Sequence, residues 1–193
     1  PEVMDLKPMN AIAISIGSLI VGWIIYDQIC KKLSKSQWVF TISITLLLVF
    51  FAWFYAQVFS GRAAFIHFGA LLGTFMAANV FFVIIPGQKR MVAAAKKGLM
   101  PNPEDGKAAQ VRSYTNNYFT LPVLFVMISN HFPSTFGNTH QWLILLGITL
   151  GTVGVKHYLN LREKGELAVW VFPISVVLLL AIAFITAPEM PKY

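Results

Sequence analysis

Four histidines stand out among 193 residues that otherwise carry few groups able to do chemistry: His67, His131, His140 and His157. A neutral imidazole ligates haem iron and other redox metals, and inside an apolar surround it needs some polar partner. His67 is followed by Ala70, Thr74 and Ala77 on roughly its own helical face. Small residues beside a histidine leave room for a flat macrocycle, with the 16 Phe and 5 Trp side chains as its walls. His67 and His131 are therefore candidate haem-iron ligands and His140 a further candidate cofactor contact, with haem b as the cofactor. The plainer alternative is that His67 hydrogen-bonds a neighbouring helix while His131 and His140 are ordinary interface residues. His157, beside Lys156 and near Arg162, reads as a headgroup contact.

A second polar group gathers around Arg112, Asn116 and Asn117, with Asn79 inside an earlier apolar run. A guanidinium and several carboxamides could bind an anionic or amide-rich ligand through charge-assisted hydrogen bonds. Equally, they could cap a helix and tie down a long loop. The eight carboxylates sit near segment ends, so no paired acids mark a proton relay in mid-membrane. Asp27 precedes Lys31 by four residues and suits a surface ion pair. The single cysteine, Cys30, excludes an intrachain disulfide and any multi-cysteine metal site.

The elements that must position these groups are set by composition. The chain is 56% hydrophobic and 12% charged, with mean hydropathy +0.65, where soluble domains carry about 25% charged residues. The fold expected is an all-α integral membrane protein of about six transmembrane helices forming a single domain. The spans expected are 10–30, 37–59, 62–85, 113–130, 140–161 and 167–187. Pro86-Gly87 should stop the third, and Pro122 should kink the fourth. Between these two, 88–112 is the longest polar stretch. Met91–Ala95, flanked by Lys89, Arg90, Lys96 and Lys97, suits a short helix along the headgroups, and Pro101–Gly106 is turn chemistry. Gly147, Gly151 and Gly154 on the fifth span, and Gly69 with Gly73 on the third, could let helices approach closely.

Basic residues set the orientation. Twelve lie in one set of loops: Lys31, Lys32 and Lys35, six residues within 88–112, and Lys156, Arg162 and Lys164. Only Lys7, Arg62 and Lys192 lie on the other side. Positive loops stay cytoplasmic, so both termini are expected in the periplasm and the chain in a bacterial inner membrane. His67 then lies about 7–8 Å below the outer surface, His131 and His140 close by that surface, and His157 about 25 Å deeper. The net charge of +7 is a loop property on this reading, so no nucleic acid partner is implied. A transporter is poorly supported, because neither a mid-membrane charge pathway nor an inverted repeat is evident.

Several ordered stretches carry a resemblance. Val21–Asp27, Gly61–Phe65, Ala78–Arg90, Asn117–Phe125 and Ser129–His131 resemble the membrane-bound bacterial urate hydroxylases. That resemblance covers nearly the whole chain. It implies a membrane domain of about eight helices, often followed by a periplasmic cytochrome c domain. The implied activity, in purine catabolism, is oxidation of urate to 5-hydroxyisourate with electron transport to cytochrome c. This sequence looks like the later six helices of that domain. It has no Cys-x-x-Cys-His, and it opens at Pro1, as a processed product or a segment of something longer would. His67, Asn79, Arg112, Asn117 and His131 lie in or beside the matching stretches. The rival expectation is a non-catalytic, anchoring subunit of a larger respiratory or photosynthetic membrane complex. In either case the partners are the lipid bilayer and a c-type cytochrome or other membrane subunits.

Overall fold

The computed structural model describes residues 4, 6–166 and 168–187, and among them every regular element is helical. Helix α1 runs Pro8–Leu33 and α2 Gln37–Val58. Helix α3 (Gly61–Ala78) passes through a π-helical turn (Asn79–Ile84) into α4 (Ile85–Lys96). Helix α5 is Pro103–Ile128, a 3₁₀ turn covers Ser129–His131, and the one-turn α6 is Pro133–Phe136. Helices α7 (Gln141–Glu163) and α8 (Val171–Ile185) complete the chain. Four helical stretches are long and apolar enough to cross a membrane: Pro8–Leu33, Gln37–Val58, Gly61–Lys96 and Gln141–Glu163. Leu167, Lys192 and Tyr193, on which the last span and the outward C-terminus were reckoned, lie outside the described residues.

Pro86-Gly87 does not stop the third span, contrary to expectation. Helix continues for 36 residues from Gly61 to Lys96. A proline in a regular helix clashes with the carbonyl four residues back. Here a wide turn precedes it, in which the Ile85 N–H donates to the Val80 carbonyl five residues back. Pro86 then stands at the start of α4, where no N–H is required. The short helix expected at Met91–Ala95 is the end of this same element.

The stretch Pro101–Gly106 likewise departs from a simple turn, because α5 begins within it. Asn102 accepts the Glu104 N–H through Oδ1 at 3.0 Å, and Pro103, Glu104 and Asp105 form the first turn. Side-chain capping, proline at the first position and acids near the positive helix end all favour a start there. The fourth helix is thus ten residues longer at its front than 113–130 implied, and Pro122 lies inside it.

The chain divides into two compact units. One comprises Leu6–Leu47 and Ala70–Phe119. Its centre is Tyr26 stacked on Phe75 at 4.5 Å between ring centroids, with Phe119 beside both. In the same unit Gly87 on α4 faces the start of α5, where an added Cβ would touch the Asp105 carbonyl. Arg90 grips Asp105 with a two-pronged fork, Nη2 to Oδ1 at 2.6 Å and Nε to Oδ2 at 3.1 Å. What was expected as a long loop is therefore largely a helical hairpin.

The other unit holds Leu48–Gly69 and the described residues from Thr120 onward. Phe51, Tyr55, Phe65 and Phe68 are its buried aromatic core. Its glycine seam on α7 has found α8: Gly147 faces Ile182, Gly151 faces Leu179, and Gly154 faces Ser175. Gly69 packs against Val126, whereas Gly73 in the first unit opens on empty space. The close-approach expectation thus holds for four of the five glycines.

Candidate functional site

The polar residues of the first unit meet inside it. Asn79 is fully buried and Arg112 is 3% exposed. Asn79 sits at the first position of the wide π turn, a device that re-aims side chains and is frequent at functional sites. Its Nδ2 donates to the Tyr26 hydroxyl at 2.8 Å and to Asn116 Oδ1 at 2.6 Å. Its Oδ1 accepts from Arg112 Nη1 at 3.2 Å. Asn79 therefore uses both amide protons and one of two acceptor positions.

Arg112 is held from three sides. Nη2 donates to Asp27 Oδ1 at 2.5 Å and to the Asp27 main-chain oxygen at 3.3 Å. Its guanidinium carbon lies 5.2 Å from the Tyr26 ring centre and 5.6 Å from that of Trp23, within the range where a cation is drawn to an aromatic face. Asp27 also receives Lys31 Nζ at 2.6 Å. The Asp27–Lys31 pair expected from spacing is present, but it is half of a larger set whose buried member is Arg112. Asn116 completes the group by donating from Nδ2 to the Met76 carbonyl, 3.1 Å away and just ahead of the π turn.

Of the four residues expected to bind substrate, Asn79, Arg112 and Asn116 come together directly. Asn117 does not enter these bonds. The capping role does not hold, since these residues lie well inside α5 rather than at its start. The tie-down role holds in another form, by linking α1, the π turn and α5. Tyr26 and Trp23 were missed as members. The signal for them lay in Val21–Asp27, where an aromatic, a tyrosine and an acid follow one another on an apolar helix.

The histidines belong to the other unit. His67 Nδ1 lies 2.8 Å from the Ala63 carbonyl one turn earlier. Its ring stacks on Phe59 at 4.1 Å and lies 5.7 Å from that of Tyr55. His131 is exposed on the 3₁₀ turn. His140 is exposed at the N-cap of α7, its N–H donating to Asn138 Oδ1 at 2.9 Å. The starts of α3 and α7 approach one another, since Gly61 lies against the Phe136 carbonyl and Gln141. Among the described residues no three of His, Cys, Asp and Glu cluster as a metal site would require. Ala70 and Ala77 are exposed and Thr74 half-buried.

A family model described as urate oxidase N-terminal matches residues 1–187. No curated protein and no solved structure matches the chain.

Proposed function

Since the chain belongs to the urate oxidase N-terminal family, we propose that it is a membrane-embedded redox module that oxidises urate and passes the electrons to a c-type cytochrome. The observation that carries this reading is a buried arginine and a buried carboxamide, Arg112 and Asn79, bonded to each other and to the half-buried Asn116 in an apolar chain of that family. Burying such groups is costly unless each is paired, and urate offers the matching chemistry: a planar anion edged with amide-like donors and acceptors. Arg112, Asn79, Asn116 and the adjacent Asn117 are the groups that would recognise it. They would exchange bonds within the cluster for bonds to the purine. Urate and water give 5-hydroxyisourate, two protons and two electrons, so each turnover requires two one-electron cytochromes.

Haem b is the cofactor this reading assigns, with His67 as its principal ligand. His67 Nδ1 lies 2.8 Å from the Ala63 carbonyl, and a histidine oriented in this way would ligate iron through its other ring nitrogen. Haem would supply one-electron transfer toward the outer side. His131 and His140, both exposed in the same unit, are the further contacts. The reading also includes six spans in the inner membrane, with both ends periplasmic and the basic loops cytoplasmic. α5 and the 15-residue α8 join the four long apolar stretches.

Membranes carrying the full gene product should reduce cytochrome c when urate is added, and Arg112→Gln should abolish the response. No urate-dependent reduction would remove the substrate assignment. A pyridine haemochrome spectrum without b-type haem would remove the cofactor assignment.

A second reading, an anchoring subunit of a larger respiratory or photosynthetic complex, is favoured by α1. Only 11% of its apolar window is buried, which leaves Ile12, Ile16, Ile20 and Ile24 for neighbouring helices. Co-purification with large cofactor-bearing subunits, and electron transfer unchanged in His67→Ala, would support it.

A further inference from the structure

We propose that the outer face of α4 is a docking surface for the headgroups of acidic phospholipids. The two faces of this helix have different fates. Gly87 and Met91 turn toward α5, Gly87 against Asp105 and Met91 toward Gly106. The opposite face carries Ile85, Gln88, Lys89, Val92, Ala93 and Lys96, which line a shallow open groove of about 450 Å³. Ile85, Lys89, Val92 and Lys96 follow one another at three- or four-residue spacing along one stripe, and all six residues are exposed. Lys89 and Lys96 run along the centre of the stripe, with Ile85 and Val92 on one side and Ala93 on the other.

Charge decides which partner fits. Arg90 is occupied by Asp105 and Glu104 by Lys107. Lys89, Lys96 and Lys97 have no carboxylate within ion-pair distance among the described residues. Three uncompensated ammonium groups within nine residues make a local positive field, and acidic lipids attract such juxtamembrane clusters.

Position makes the lipid the nearest anion. The helix is continuous from Gly61 through Lys96, and 36 residues rise about 54 Å against a hydrocarbon core of about 30 Å. Its last dozen residues must therefore leave the core, and the first charges met on leaving are Lys89 and Arg90 at headgroup level.

The test uses the full chain in nanodiscs of phosphatidylcholine, alone or mixed with phosphatidylglycerol, with retained lipids counted by native mass spectrometry. The wild-type protein should enrich phosphatidylglycerol, and Lys89→Gln with Lys96→Gln should lose about fivefold of that preference per lysine, equivalent to about 1 kcal/mol each. Lys32→Gln with Lys35→Gln removes the same charge from another loop and should leave the preference largely intact. Equal losses from the two pairs would overturn the proposal. A fluorophore at Val92→Cys leaves every lysine in place, and headgroup-level nitroxide lipids should quench it. No quenching, or capture of polyglutamate in preference to the acidic lipid, would overturn the proposal as well. This inference does not depend on urate or haem, and either assignment could fail without affecting it.

Discussion

Arg112 on α5 and Asp27 on α1 meet at 2.5 Å although 85 residues separate them, and the arginine is 3% exposed. Removing one partner of such a pair strands the other charge, at a cost of about 3–5 kcal/mol. Asp27→Asn should therefore lower the thermal midpoint in detergent substantially. The double variant Asp27→Leu with Arg112→Met should recover much of the loss. A double variant less stable than either single one would show that the pair is not the source of the effect.

Asn79 links three partners: Tyr26, Asn116 and Arg112. Asn79→Leu keeps the branching of the side chain but removes its polar atoms, leaving those groups to find new bonds in a buried place, at about 1–3 kcal/mol for each group left unmade. Hydrogen exchange should quicken in the described parts of α1 and α5 that flank the cluster. Unchanged exchange there would mean that the cluster ties nothing down.

Glycines on α7 and α3 should respond in opposite ways. A methyl group at Gly154 meets Ser175 Oγ, and one at Gly151 lies 2.7 Å from Leu179 Cδ2. Gly151→Ala and Gly154→Ala should each destabilise the α7–α8 pair by about 1–3 kcal/mol, the usual cost of overpacking. Gly73→Ala enters open space and should be neutral or stabilising by up to about 1 kcal/mol. Thermal shift measurements on the three variants would decide it.

The α4–α5 hairpin should carry a pH signature. The hydrogen bonds from Arg90 hold the Asp105 carboxyl below its usual value. A carboxylate with a lowered pKa stabilises the fold fully above its unfolded value and loses that contribution as pH falls through the lowered one. Protease sensitivity between α4 and α5 should accordingly rise only under distinctly acidic conditions. Asp105→Asn should show that sensitivity already at neutral pH and little further change on acidification.

Much of this was legible in the sequence and some was not. Long apolar runs announce helices because a bilayer leaves the backbone no other partner, and four of the six expected segments fall on observed helices to within a few residues. The third misled because Pro86-Gly87 is read locally as a stop, while the wide turn that accommodates it has no signature in residue types. The start of α5 was in fact written out as Asn102-Pro103-Glu104-Asp105, which can signal either a turn or a capped helix. The polar cluster was half visible. Asn79 and Arg112 were conspicuous as polar residues in or near apolar runs, but spacing tied Asp27 only to Lys31, because pattern reasoning reaches i+4 and not a helix 85 residues away.

The wide turn at Asn79–Ile84 and Pro86 stand side by side on one continuous helix, and these are two of the few causes of sharp helix bends. The helix has its softest joint there. Asn79, the first residue of that joint, is also the residue that grips Arg112. Arg112, which Asn79 holds, is also the buried partner of Asp27, so a change of helix direction at this joint would move a residue that positions the ion pair.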